Sequence, residues 1–326
     1  KSYLHPNDSL IIAHGEEEMH LSAQFHRHEQ RDHVSCGVRK GVKKVFKLNE
    51  KVYDRMADHI GRFPAVMIAP DDAALIHEGS EMRRKWIDSV ISMFDRRYLD
   101  DLMDYNRCLS QRNALLRYFA ENRTWDEAML EPWDDRMAGL AAEIRKKRSA
   151  FVADFRPRFQ AIHADLAQGA EEVSLSDVSQ LTADERDIRG SFVEARAEDR
   201  RLRRSTKGIH KDDVAFLLSG RLLRRFGSQG QQKTFLLALR LAQLEYLESA
   251  TGVKPILLLD DIFDKIDEHR ARALMERLSG GAFGQVFLTD TSLTRMPEWL
   301  EATGADVQVY ACVAGEVTAV SGGASD

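Results

Sequence analysis

Ile256-Leu257-Leu258-Leu259-Asp260-Asp261 sets two carboxylates at the end of four consecutive apolar residues. A strand of that composition is buried on both faces, and carboxylates that emerge where its C-terminal end meets a crevice have chemistry open to them. Asp260 suits a hard divalent cation such as Mg²⁺, which takes oxygen ligands and keeps several waters, while Asp261 could orient an attacking water in phosphoryl transfer. The same pair would also serve to cap a turn or the helix that follows. Upstream, Phe226-Gly227-Ser228-Gln229-Gly230-Gln231-Gln232-Lys233 stands directly before an apolar helical stripe, Phe235, Leu236, Leu239, Leu241, Ala242 and Leu244. Its hydroxyl and free amides therefore lie at a helix N-terminus, an anion site in physical terms. Ser228 serves as N-cap or as phosphate donor, Gly230 lacks the Cβ that would block a ligand oxygen, and an ordinary capped helix is the plainer alternative. Phe226 occupies the place of the first Gly of GxSxG, which excludes a nucleophile elbow.

The elements that must position these residues follow from periodicity. Leu10 to Tyr53 reads as short alternating strands in an antiparallel meander: Leu10-Ile11-Ile12, His20 to His28, His33 to Arg39 and Val42 to Leu48. Pro64 to Ile68 reads as a buried strand that ends in a turn. From about Glu81 to Ala167 the period is helical, and the half from Trp133 through Leu166 suits an antiparallel helical hairpin. After Gly208 the chain alternates helix and strand, with a helix from about Gln229 to Ser249, strands at Ile256 to Leu259 and Val286 to Thr289, and a final pair joined at Ala314-Gly315. That alternation implies an α/β layer with a largely parallel sheet.

At 326 residues, 43% hydrophobic and 30% charged, the chain is long enough for about two domains with a substantial core. Cys36, Cys108 and Cys312 are far apart with no CxxC spacing, so neither a disulfide framework nor a zinc knuckle is expected, and a reducing, cytoplasmic setting is. No apolar run approaches the ~20 residues of a membrane span. The net charge of −5 argues against a generally basic nucleic-acid binder, yet Lys and Arg are bunched. Arg145, Lys146, Lys147 and Arg148, then Arg200, Arg201, Arg203 and Arg204, and the strands from Arg39 to Lys47 are candidates for DNA phosphate contacts, though each such cluster alone is more often a solvated face. Aromatics are not interleaved with them, so backbone recognition fits better than base stacking. In Gly208-Ile209-His210-Lys211-Asp212-Asp213, Lys211 suits a phosphate or DNA-backbone contact, a structural lock, or a salt-bridged turn. His20, His26, His28 and His33 lack partners at metal-ligand spacing and read as an exposed hairpin.

FGSQGQQK followed by ILLLDDIFDKID resembles the signature motif, Walker B motif and D-loop of ABC-type ATPases of the SMC-like branch. PDDAALIHEGSEMRRKWID, YNRCLSQRNALL and GIHKDD further resemble segments of the RecF family of bacterial recombination mediators, in that family's order. The resemblance implies an α/β, SMC/ABC-type ATPase head, with a mixed-sheet lobe from residues 1–80 and 206–326 and a helical second lobe from 81–205. It implies that Ser228, Gln229, Gly230 and Gln231 form a signature loop that reaches across an ATP-sandwiched homodimer to the γ-phosphate bound by the partner. Asp260 would hold Mg²⁺ through water, Asp261 would be the catalytic carboxylate, and Asp264 to Asp267 the D-loop, with Asp267 at the nucleotide site. Asp261 stands where most ABC ATPases have Glu, and one methylene less reach implies water-mediated contact and slow turnover, a timing switch rather than a motor. The implied activity is weak, DNA-dependent ATP hydrolysis. The implied role is ATP-dependent binding of gapped DNA and single-strand/double-strand junctions, acting with RecO and RecR to load RecA in repair, replication restart and the SOS response.

Two features depart from the pattern. GxxxxGK[ST] is absent, and Gly37 to Lys44 has the wrong spacing for it. The family carries its P-loop upstream of the segment that Lys1-Ser2-Tyr3 resembles, so the expectation is that an opening strand, P-loop and helix of about 30 residues lie outside this chain, which would bind ATP poorly as given. Asp290 and Thr291 stand where a switch histidine is common, which leaves the γ-phosphate sensor unassigned. The alternatives are another SMC-like head, disfavoured by the short helical insertion, and a nucleotide-independent DNA-binding scaffold.

Overall fold

The computed structural model describes residues 7–27, 29–169, 171–261, 274–275, 277, 283–291 and 306–320. Its contacts divide the chain into two compact units, Lys1–Phe63 and Pro64–Asp326, a division different from the one expected where the period changes near residue 81. In the first unit β1 (Glu18–Arg27), β2 (Gln30–Arg39), β3 (Val45–Leu48) and β4 (Lys51–Val52) form an antiparallel meander in that order. Asn49 and Glu50 close the β3–β4 hairpin with positive φ, 49° and 66°, the backbone that a two-residue turn matched to strand twist requires. Leu10-Ile11-Ile12 is not a strand. Asp8–Ile11 forms a 3₁₀ turn, because the Asn7 side chain accepts from the Ser9 amide and local capping outweighs β propensity in so short a run.

The second unit holds β5 (Ala65–Ile68), α1 (Ala74–His77), α2 (Ser80–Ser92), α3 (Arg96–Glu121), α4 (Glu131–Leu166), β6 (Val173–Val178), α5 (Glu185–Leu202), β7 (Asp213–Leu218), β8 (Arg221–Leu222), α6 (Leu223–Phe226), α7 (Gln229–Thr251), β9 (Ile256–Asp260), β10 (Val286–Thr289), β11 (Tyr310–Val313) and β12 (Glu316–Ala319). β9 lies between β10 and β5, parallel to both. β6, β7 and β8 form a separate antiparallel sheet. β6 falls inside the segment expected to be helical, where the alternation of Val173, Leu175 and Asp177 buries only one face. β11 and β12 make the expected terminal hairpin, turned at Ala314 (φ 49°) and Gly315 (φ 88°).

The segment expected as a helical hairpin, Trp133 through Leu166, is a single helix. α4 runs 36 residues through Pro157, which sits on the exposed face. The hairpin partner is α3, and α4 packs also on α5, α7 and β6. Trp86 of α2, Phe155 and Phe159 of α4, Phe216 of β7 and Phe235 of α7 meet in one aromatic cluster, with Trp86–Phe155 centroids 5.6 Å apart and Phe159–Phe235 4.7 Å apart. Edge-on pairs of this kind add to what burial alone contributes. The helical segment and the later strands thus share one core, which is why the contacts do not separate them. Arg112, 1% exposed, ties three helices together: Nε donates to Asp134 of α4 at 2.7 Å and Nη1 to Asp199 of α5 at 2.6 Å. Arg196 of α5 donates to the other Asp134 oxygen at 2.9 Å, so the buried carboxylate is fully matched. No helix among the described residues is long and apolar enough to cross a membrane.

Candidate functional site

α7 begins with a capping box. Ser228 Oγ accepts from the Gln231 amide at 3.2 Å, and Gln231 Oε1 accepts from the Ser228 amide at 2.6 Å. The Gln229 and Gly230 amides have no intrahelical acceptor by geometry and lie at the open, positive end of the helix. Gly227 is required just before it, since a Cβ there would sit 2.7 Å from Leu223 Cδ1 and 2.9 Å from the Leu223 carbonyl oxygen. Phe226 is 59% exposed beside the loop, with the Arg221 guanidinium 5.5 Å from its ring centre. The helix ends at Gly252 in the left-handed region (φ 69°), and the chain returns directly into β9.

β9 delivers Asp260 to the carboxyl end of the parallel sheet. Leu257 and Leu259 are buried there, while Ile256 and Leu258 are only half-buried. Thr289, paired with Asp260 in the β9–β10 register, joins the two acids: its hydroxyl donates to Asp260 Oδ1 at 2.7 Å and accepts from the Asp261 amide at 3.2 Å. Asp261 leaves the strand with φ 46°, a conformation that costs a non-glycine residue of order 1–3 kcal/mol and clusters at functional sites. Its Oδ1 is buried with no hydrogen-bond partner among the described residues. Among those residues no three His, Cys, Asp or Glu side chains are grouped to hold a metal. Mg²⁺ does not need such a cage, because one or two carboxylates, waters and phosphate oxygens complete its octahedron. Asp260, with one oxygen engaged by Thr289, and Asp261, with an unmatched buried oxygen, fit that donor set.

A third carboxylate at the same sheet end is fixed to α7. Asp72 is 5% exposed and lies past the end of β5; it receives Nε and Nη2 of Arg240. Arg240 Nη1 donates to Gln243 Oε1 at 2.9 Å, which also accepts from Trp86 Nε1 at 3.1 Å. The helix that starts at the signature-like loop is thereby tied to the strand end and to α2. Asp264 to Asp267, including the expected nucleotide-site Asp267, lie outside the described residues.

The basic candidates separate. Arg148, expected to face DNA, is 3% exposed: Nε and Nη2 donate to Asp88 at 3.0 and 2.9 Å, Nε also to Tyr98 Oη at 3.1 Å, and Nη1 to the Ile209 carbonyl at 3.0 Å. A guanidinium so enclosed cannot meet a phosphate. The spacing held the signal, since Arg148 is four residues from Ile144 and three from Phe151 on the buried stripe of α4. Arg145 Nη1 donates to both Asp177 oxygens at 2.8 and 2.9 Å, and Lys147 pairs with Asp95 at 2.7 Å, so of this run Lys146 alone is exposed. Arg200, Arg201, Arg203, Arg204 and Lys211 are all exposed around the end of α5. Arg201 pairs with Glu198, and Arg200 lies 4.9 Å over the Trp125 ring. Burial first, then the charges of Arg204 and Arg84, push the Lys211 ammonium below the ordinary lysine range. His210 beside it is a structural lock: its ring nitrogens face Tyr105 Oη at 3.0 Å and the Ser205 carbonyl at 3.2 Å, and burial pushes it down to about 4. Thr289 and Arg240 carry no sequence signal of their own, and Asp72 none beyond its place in the PDDAALIHEGSEMRRKWID segment; each is one polar residue whose partner lies far along the chain.

No family profile matches the chain. It is 42% identical over 310 residues to the DNA replication and repair protein RecF of Flavobacterium johnsoniae, which covers 95% of this chain and 86% of that protein. To the RecF of Phocaeicola vulgatus it is 41% identical over 321 residues, 98% of this chain and 85% of that one. A solved structure of the recombination mediator protein RecF-ATP in the RecFOR pathway superposes with a TM-score of 0.87 at 26% identity, covering 98% of this chain and 85% of the other. An Smc head bound to the C-winged helix domain of ScpA matches at TM-score 0.50 and 11% identity over 94% of this chain and 74% of that one, a likeness of fold alone.

Proposed function

Because the chain belongs to the RecF family of DNA replication and repair proteins, we propose that two copies close on ATP, clamp gapped DNA at single-strand/double-strand junctions, and release it on slow hydrolysis. The observation that carries this is Asp261, a carboxylate at a parallel-strand tip with a left-handed backbone and an unmatched buried oxygen. That oxygen is available to orient a water on a terminal phosphate, while Thr289 keeps Asp260 aimed into the same space. Bound Mg²⁺ would supply charge neutralisation on the phosphate oxygens, with Asp260 as its water-mediated ligand.

Helix geometry supports the sharing of each nucleotide between copies. α7 is 23 residues, about 34 Å, whereas β9 returns only about 16 Å, so Ser228 and Asp261 of one chain stand on the order of 18 Å apart even when the two elements run back to back. A hydroxyl must come within about 3 Å of a phosphate oxygen to donate to it. Ser228, Gln229, Gly230 and Gln231 thus serve the partner's ATP, and Asp260 and Asp261 the chain's own. Arg200, Arg201, Arg203, Arg204, Lys211 and Lys146 are the residues for DNA phosphates, because all six are exposed cations, and Lys211, whose ammonium is pushed down first by burial and then by Arg204 and Arg84, is favoured by a nearby anion. RecO and RecR are the partners in this scheme, and loading of RecA its outcome.

The test uses a form of the chain with a family P-loop segment joined ahead of Lys1. Sedimentation with and without ATP is expected to show that Ser228→Arg abolishes the ATP-dependent dimer while ATP binding stays near normal. Asp261→Asn is expected to trap the DNA-bound dimer. An unchanged ATP-induced dimer in the first variant, or retained hydrolysis in the second, removes those residues from their roles. The other reading is a scaffold that binds DNA without nucleotide. DNA affinity in the extended form that ignores ATP would decide for it.

A further inference from the structure

Past the end of α4 the chain turns through Gln168 (φ 54°) and Gly169 (φ 71°), and the Gly169 amide donates to the Ala164 carbonyl at 2.8 Å. This left-handed exit carries Glu171 back to the base of β6, where the neighbouring Glu172 carbonyl accepts from the Ser219 amide at 2.7 Å. Glu171 Oε1 accepts from Gln231 Nε2 at 2.9 Å, and its Oε2 lies 3.9 Å from Nε2 of the buried His163. The other end of the same Gln231 amide accepts from the Ser228 amide at 2.6 Å. Only one orientation of that amide satisfies both neighbours, because a carboxylate needs the NH₂ and a backbone N–H needs the oxygen. Gln231 is therefore a strut between a carboxylate of the helical segment and the first residue of the signature loop.

The strut fixes what Ser228 can offer. With Gln231 in place, Ser228 Oγ takes the Gln231 amide on a lone pair, so its own proton is free for a ligand, and the Gln229 and Gly230 amides remain open beside it. Without the carboxylate, the Gln231 side chain regains rotamer freedom and the box that holds Ser228 opens more often. From this geometry we infer that Glu171 is a positioning residue for the signature loop, holding Gln231 so that Ser228 is preset as a hydrogen-bond donor to the partner's nucleotide. This rests on the assignment of Ser228 to the partner's ATP.

The experiment compares Glu171→Ala, Glu171→Gln and Ser228→Arg in the P-loop-bearing form, reading ATP-dependent dimerisation by sedimentation and ATP affinity of the monomer separately. Glu171→Ala is expected to weaken the ATP-dependent dimer about tenfold for each of its two nucleotide sites, the loss that follows from one charge-assisted bond per site, with monomer ATP affinity unchanged. Glu171→Gln, whose amide oxygen still accepts from Gln231, restores dimerisation. Hydrogen exchange on the chain itself is expected to quicken at the Ser228 and Gln231 amides in Glu171→Ala and not in Glu171→Gln, whereas a merely weakened fold would quicken exchange throughout Pro64–Asp326. Wild-type dimerisation by Glu171→Ala while Ser228→Arg fails to dimerise overturns the role of Glu171 alone. Wild-type dimerisation by both overturns the assignment of Ser228 and this inference with it. Should Glu171→Ala not fold, Gln231→Leu removes the same bond from the other side, and a wild-type dimer there overturns the inference equally.

Discussion

Arg148→Met removes a guanidinium with little change of volume. It leaves the Asp88 carboxylate without its counter-charge, since both bonds from Arg148 at 3.0 and 2.9 Å are lost and the neutral Tyr98 hydroxyl remains as donor, and it takes one donor from the Ile209 carbonyl and from Asp212, 3.4 Å from Nη1, which keeps Ser179. Breaking a buried pair from one side costs about 3–5 kcal/mol, because the remaining charge stays out of water. For a unit of this size each kcal/mol lowers the melting temperature by about 2–4 °C, so a drop of roughly 6–20 °C is expected. Thermal melts and urea midpoints, read alongside DNA affinity in the samples that remain folded, are the assay. Lys146→Ala, two residues away and exposed, is expected to stay within about 0.5 kcal/mol of wild type. Adding Asp88→Asn to Arg148→Met should recover part of the loss, since it removes the stranded charge. If Arg148→Met melts with the wild type and instead loses DNA affinity, the enclosed-network account of Arg148 is wrong and the residue faces DNA after all.

Three further outcomes are expected. His210, held at about 4 against an ordinary value near 6.5, takes up its proton in the unfolded chain first; stability is full above about pH 6.5 and falls by at most about 3 kcal/mol as pH drops to 4, a slope that His210→Asn should flatten in urea midpoints measured across that range. Gly208→Ala puts a Cβ 2.2 Å from Tyr105 Oη at φ 135°, and a loss of about 2–4 kcal/mol is expected by denaturation, with an unchanged midpoint counting against close packing of Gly208 on the Tyr105–His210 lock. Lys211→Ala is expected to weaken DNA binding alike across sequences and to lower the slope of log affinity against log salt by about 1, whereas a sequence-dependent loss would argue for base contact.

What the sequence made legible was local. The apolar run before Asp260 and the capping pattern at Ser228 are complete within eight residues, so β9 and the start of α7 could be named from their own side chains. Thr289 and Glu171 could not, because their hydrogen-bond partners lie 28 or more residues away and each is a single polar residue with no periodicity around it. Arg148 lies between these cases. The run from Arg145 to Arg148 reads as charge, yet successive helical residues point about 100° apart, so four adjacent cations cannot share one surface. β6 leaves little mark in the sequence, since six residues with one buried face barely register between two long helices. Trp133 to Leu166 reads as a hairpin because its apolar residues recur at i+3, i+4 and i+7 steps, a period that one long helix shows equally; Pro157, on the exposed face, costs that helix one hydrogen bond and is carried by the packing on either side.

That proline divides α4 mechanically. Pro157 gives the Ala153 carbonyl no donor, so compliance gathers at one joint and the helix is two rods, not a single lever. The longer rod is bolted by charge, through Asp134 to Arg112 and Arg196 and through Arg148 to Asp88. The shorter rod is seated by rings and by Gln160, which donates to the Val173 carbonyl at 2.8 Å, and it ends in the turn that presents Glu171. The missing hydrogen bond thus sets the softest point of α4 between the arginine network and the turn that holds Glu171, and so between the far helices and the loop at the head of α7.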